Sequence, residues 1–388
     1  MRLRGEPAQG RKTRLNQERF PSGTPMLEGF FPSVLLYGGK SKFLLTEIRA
    51  FYLLFVEFCC TKKMPKSSGL VTTTGGECRM NKQERVLAAV QGKPVDYVPY
   101  TMWYHFGTQF VPGDKAAEVV VAFYERFDLD FAKVMNDYAY PLPKGMDRIR
   151  NIDDWKRLEP VKPTEGGFAE QLKLLSVVAK RLKGEAFFVD TIFDPFYVAQ
   201  RTAKNLVFDL LRSHPEDFKI GLEVITESLV EYVKAVLDLG GAGIFLAVNG
   251  ASTDVLSKEE FAQFVKPYDL RVLDAVKDQG VLNITHIHGE HIMFEEILDY
   301  PVHALSWEQN YVPPSLSDAR KLTEKCFLGG IDERLPNFTP PDALEAQVES
   351  ALQETNGEKF ILAPGCSVPP DMPAEQIDII RNAVRKPR

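Results

Sequence analysis

The residues best equipped for chemistry are two histidines one residue apart, His286 and His288 in Thr285-His286-Ile287-His288-Gly289, and Cys366 in Ala363-Pro364-Gly365-Cys366. Residues two apart on a strand face the same way, so both imidazoles enter one cavity if this apolar run is a strand. Two imidazoles and a thiolate make a three-ligand set for a catalytic zinc that keeps one coordination position open. Such an ion either lowers the pKa of bound water or holds a substrate thiol as thiolate. The bland alternative makes His286 a wall residue, His288 a partner for a backbone carbonyl, and Cys366 a small buried hydrophobe. Spacing alone leaves both readings open.

Asp137 is the carboxylate to single out. It follows an apolar run and sits among Tyr138, Tyr140 and Pro141, where it can bind substrate N–H groups or act as a general acid or base. It can equally cap the next turn. Other apolar runs also end in polar residues: Trp103-Tyr104-His105, Asp194, Asn249, Glu308 and Asp332. His214, His291 and His303 read as turn, solvated and back-face residues and receive no functional role.

Eight short β-rich runs end at or near these positions, over 98–103, 131–136, 187–192, 243–248, 282–288, 302–307, 326–330 and 360–363. Helical stretches separate them. From Pro215 to Leu239, Phe218, Leu222, Ile225, Leu229 and Val233 recur at three- and four-residue steps, a stripe that buries one face. Ser257 is placed to cap a helix towards Lys277, Ser315 to cap one through Ala319 and Leu322, and Pro373 to open the last helix. Eight strand–helix units predict an α/β fold, a (β/α)8 TIM barrel with its site at the C-terminal ends of the strands. A short helix near Lys82–Val90 is expected to close the barrel bottom. A doubly wound open sheet is the competing architecture.

Composition is that of a globular protein, 44% hydrophobic and 26% charged. Charge is uneven: residues 1–79 hold 13 Lys and Arg against 6 Asp and Glu, and the rest holds 34 against 47. An acidic body argues against nucleic-acid binding, which needs clustered cations. Of five cysteines, Cys59, Cys60 and Cys78 lie in the first 79 residues. The absence of a disulfide framework fits a reducing cytoplasm.

Residues 1–79 read as an atypical N-terminal extension, disordered or translated from a misplaced start, with residues 80–388 forming the barrel domain. The apolar run over 43–60 carries Glu47, Arg49 and Glu57, and each charge costs roughly 2.5–3.5 kcal/mol at bilayer depth, which argues against an integral membrane span. A peripheral-membrane or partner-binding arm is the rival reading.

The stretches NKQERVLAAVQGKPVDYVPY, LSKEEFAQFVKPYDLRVLDAVKDQG, HIHG, FLGGIDERL and FILAPGCSVPPDMPAEQI resemble the uroporphyrinogen decarboxylase superfamily. That superfamily holds the heme-pathway decarboxylase and zinc-dependent methyltransferases that move methyl groups between corrinoid proteins and thiols. The resemblance implies a TIM barrel with the site in its mouth. The decarboxylase pattern has an arginine-rich loop after the first strand, whereas here it reads WYHFGTQFVPGD without arginine. Asp137 stands where the decarboxylase places its pyrrole-binding aspartate. The methyltransferase pattern has His-x-Cys on the fifth strand and Cys on the eighth. His286 and Cys366 match it, His288 replaces the first cysteine, and Glu308 or Asp332 is a candidate fourth ligand.

The leading expectation is therefore a cytoplasmic zinc methyltransferase using a methylcorrinoid on a partner protein. His286, His288 and Cys366 hold the metal, Asp137 and His105 are catalytic, and Trp103, Tyr138, Asp194, Asn249, Glu308 and Asp332 line the substrate site. The alternatives are metal-free decarboxylation of a tetrapyrrole centred on Asp137, and a non-catalytic corrinoid-protein partner. A homodimer is implied by the resemblance alone.

Overall fold

The computed structural model describes residues 79–334 and 339–386. The expectations for the N-terminal extension and its apolar run fall on residues 1–78, outside the described residues. Among the described residues no helix is long and apolar enough to cross a membrane.

The first helix, α1 (Lys82–Gln91), starts at Asn81, whose side chain accepts the Glu84 N–H while the Glu84 carboxylate reaches back to the Asn81 N–H. It ends at Gly92, held at φ 70°, a left-handed conformation that glycine adopts without Cβ strain. Its buried residues Val86 and Ala89 join one apolar cluster with Phe131, Ala242, Leu282, Ala304 and Cys326, residues at or just before the N-terminal ends of their strands. The helix therefore covers the bottom of the sheet, as expected. Arg85 secures it: its guanidinium donates to Asp96 at 2.6 Å and to Asp130 at 2.7 Å, and lies over the Tyr97 ring.

Next come α2 (Gly113–Phe127), β1 (Phe131–Val134), α3 (Ile152–Lys156), α4 (Gly166–Leu182) and β2 (Phe187–Phe193). The chain continues through α5 (Pro195–Ala203), α6 (Leu206–Ser213), α7 (Pro215–Asp238), β3 (Gly243–Val248), α8 (Lys258–Phe264) and α9 (Lys266–Asp274). It finishes with β4 (Ile284–Ile287), β5 (Ala304–Ser306), α10 (Leu316–Arg320), β6 (Cys326–Ile331), α11 (Pro341–Thr355), β7 (Phe360–Pro364) and α12 (Ala374–Val384). All seven strands are parallel and pair in sequence order. Parallel strands with helical crossovers, in this order, are consistent with a (β/α)8 barrel.

The run over 98–103 departs from expectation. It makes one bridge, Tyr100 to Leu362 of β7, with backbone bonds from Thr101 N–H to Leu362 C=O and from Leu362 N–H to Pro99 C=O. Pro99 has no N–H to extend a ladder. Towards β1, one backbone bond, from Asp130 N–H to Tyr100 C=O at 3.0 Å, is reinforced by side chains: the Asp130 carboxylate accepts the Tyr100 N–H at 2.9 Å, and the Thr101 hydroxyl donates to Phe131 C=O at 2.9 Å.

The helix capped by Ser257 is also shorter than expected. The capping box with Glu260 forms, but the helix breaks at Val265 because Pro267 follows in the first turn of α9.

Candidate functional site

One face of each strand points into a common interior. Phe131, Val189, Phe245, Ala247, Ile284 and Leu328 belong to its apolar cluster, and strand alternation puts Lys133, Phe193, His286 and His288 on that same face. The register aligns Phe193, Ala247, His286 and Ser306 at one level across β2 to β5. That level lies at the C-terminal ends of the strands, where the expected site residues should gather.

His286 is 4% exposed, and its ring stacks on Phe245 at 5.5 Å. Its Nδ1 lies 3.3 Å from the Ser306 hydroxyl, whereas its Nε2 is buried with no hydrogen-bond partner among the described residues. Burial, with His288 and Lys133 close by, pushes its pKa well below the usual histidine value, so the ring is neutral and Nε2 can offer a lone pair. A buried polar nitrogen without a partner is costly. Ligand atoms of His286, His288 and Cys366 all lie within 4.8 Å of one another. The donors fit a metal: a neutral imidazole oriented by a hydroxyl at its other nitrogen, a second imidazole, and a thiol. Burial and the carboxylates Glu308 and Glu333 push the Cys366 thiol up to about 11, so forming the thiolate requires a positive charge such as a metal.

Three acceptors and donors surround this cluster. Glu308 is 7% exposed, lies 3.7 Å from His288 Nδ1 and pairs with Arg334. Glu333, absent from the sequence-based set, is buried beside it, and burial plus Glu308 raise its pKa to about 8. Gly365 lets the end of β7 approach them: a Cβ there would lie 2.7 Å from Glu333 Oε2 and 2.9 Å from Glu308 Cα.

Lys133 was also missed by the sequence reading. Its amine lies over Phe245 at 4.3 Å and Trp103 at 5.0 Å. Burial pushes it down to about 7, opposed by the negative charges of Cys366, Asp137 and Asp190. The available signal was a lone cation inside the apolar run Phe131-Ala132-Lys133-Val134-Met135.

Asp137 and His105 do meet, with Nδ1 to Oδ1 at 2.6 Å. Other expected lining residues hold structural positions. Both Asp194 oxygens accept backbone N–H groups, Tyr197 of α5 and Asn249, each at 2.7 Å, so Asp194 caps α5 and ties it to the end of β3. The Tyr138 hydroxyl is committed to Val111 C=O at 2.6 Å, and Trp103 packs edge-on against Phe245. Asp332 accepts from Tyr311 and from the Arg334 N–H. His291 pairs with Asp254 at 2.7 Å, on the wall of a cleft of about 630 Å³. His303 Nδ1 accepts the Asn283 N–H.

The family model for uroporphyrinogen decarboxylase (URO-D) matches residues 81–387. The chain belongs to the uroporphyrinogen decarboxylase family. Among curated relatives, a methylcobamide:CoM methyltransferase MtbA from Methanosarcina acetivorans is 24% identical over 223 residues, 57% of this chain and 64% of that protein. The chain thus spans just under two thirds of that relative's length. A uroporphyrinogen decarboxylase from Geotalea daltonii is 22% identical over 330 residues, 75% of this chain and 95% of that protein. Among solved structures, a methyltransferase from Methanosarcina mazei superposes with a TM-score of 0.64 at 20% identity, covering 79% of this chain and 98% of that one. Both a methyltransferase branch and a decarboxylase branch of the family are thus represented among the relatives.

Proposed function

We propose that this family member is a zinc-dependent methyltransferase that moves a methyl group between a corrinoid, carried on a partner protein, and a thiol. The observation that carries this reading is the partnerless, buried Nε2 of His286 beside His288 and Cys366. These three residues hold the ion, and Glu308, 3.7 Å from His288, is the candidate fourth ligand. Zinc bound there supplies Lewis acidity that keeps a substrate thiol as thiolate. Ser306 orients His286, and the His105–Asp137 pair holds or relays the proton released on that side of the pocket. In the same reading the run over 98–103 is the eighth stave that closes the barrel between β7 and β1.

Metal analysis of tag-free protein tests the proposal. About one zinc per chain is expected, held by the three residues with a fourth position that Glu308 takes at rest and yields to substrate. Both His288→Ala and Cys366→Ala should lose it. Metal-free wild type after zinc supplementation overturns the reading. Decarboxylation of a tetrapyrrole is the second reading, favoured by Asp137, whose charge acts on the buried Lys133, and by decarboxylase relatives matched over most of their length. Turnover of uroporphyrinogen by metal-free protein, abolished in Asp137→Asn, would establish it.

A further inference from the structure

We infer that Arg201 is the anion-binding residue of this pocket, gripping a carboxylate carried by the small substrate. The inference deepens the proposed function by naming the substrate class, and it rests on the same pocket being the reaction site.

Arg201 belongs to the last turn of α5, the helix that leaves β2 directly through the Asp194 cap. Its guanidinium folds back over the ring of Phe193 at 4.9 Å and approaches that of Tyr197 at 6.0 Å. Phe193 ends β2 and packs on the interior cluster. It is level with Ala247 and His286 on the next two strands, so two strand spacings, roughly 10 Å of backbone, separate it from the histidine.

Other half-buried arginines donate to protein acceptors: Arg126 to Asp378, Arg320 to the carbonyls of Thr323 and Lys325, and Arg385 to Asp128. Arg201, also half-buried, has no hydrogen bond or ion pair among the described residues. The Tyr197 hydroxyl likewise has no hydrogen-bond partner among them. Burial raises the Tyr197 phenol, Arg201 opposes the shift, and Asp194 and then Cys366 add to it. A guanidinium held flat by an aromatic ring keeps its planar fork free, and that fork matches the two oxygens of a carboxylate. The loop after 98–103 offers no arginine for this task. Arg201 supplies the cation from a different element.

Calorimetric binding of 3-mercaptopropionate and of its neutral counterpart 3-mercapto-1-propanol to the full chain tests this, with zinc assayed on each sample. The acid is expected to bind wild type roughly tenfold more tightly than the alcohol, as a charge-assisted bidentate bond allows. Arg201→Met keeps the apolar stem and should erase that preference without changing metal content. Equal binding of acid and alcohol to wild type, or an undiminished preference in Arg201→Met, overturns the inference. A second arm uses metal-free wild type: propionate, and not 1-propanol, should protect Arg201 from phenylglyoxal, read by peptide mass spectrometry. Protection in a protein that takes up no zinc on supplementation leaves Arg201 standing while the zinc reading falls. Zinc without protection sinks the role of Arg201 and spares the metal.

Discussion

Enclosed by Trp103 and Phe245, the Lys133 amine has lost the hydration that keeps lysines charged, and its pKa falls to about 7 from the ordinary lysine value of 10.5. The unfolded chain therefore binds more protons than the folded one between those values, and this group makes stability rise with pH across that window. Lys133→Met should stabilise the protein by ~1–3 kcal/mol at pH 7, the usual cost of a poorly partnered buried polar group. The gap to wild type should close as pH approaches 10, where the unfolded lysine also begins to lose its proton. Urea unfolding of both proteins across this range measures it, and a gap independent of pH would contradict the assignment. Such a costly residue beside the proposed metal site is what a functional pocket tolerates.

On the scale of elements, the end of β7 matters most. Gly365 N–H donates to Ile331 C=O, and a side chain at Gly365 would collide with Glu333 and with the Glu308 backbone. Gly365→Ala should displace Cys366 from the two histidines. We expect a loss of ~1–3 kcal/mol in stability from overpacking, and at least a tenfold weaker hold on zinc in chelator competition, since ligands displaced from ideal geometry bind poorly. Unchanged metal affinity would show that the glycine serves only the fold. The same scale explains the expected strand over 98–103: Pro99 denies it a full ladder, so the Asp130 and Thr101 side chains add to the one backbone bond towards β1.

Across the whole molecule, stability and chemistry occupy opposite ends of the sheet. At the bottom, Arg85 is 2% exposed and joined to Asp96 and Asp130. At the top stand the histidines and Cys366. Arg85→Met leaves buried carboxylate unpaired and should cost about 3–5 kcal/mol, measured as a lower denaturation midpoint. Its zinc content should match wild type. A matching loss of zinc would mean that the two ends are coupled.

Much of this organisation was legible in the chain itself. Alternation and turn residues marked β3 at its observed bounds, Gly243–Val248, and Ser257 and Ser315 cap helices through local bonds that need only a few neighbouring residues. The two-residue repeat placed His286 and His288 on one face for the same reason. Other features depend on contacts between residues far apart in sequence. Asp194 read as a polar strand end, but the N–H of Asn249, 55 residues away, takes its second oxygen. Lys133 and Glu333 received no reading from sequence, and burial by distant strands is what shifts them. Cys366, just past β7, meets histidines at the end of β4 although β5 and β6 lie between those strands in the sheet. Sequence set which residues could do chemistry, because periodicity and capping are local. Tertiary structure decided which of them share a cavity and in what protonation state, because proximity and desolvation are not.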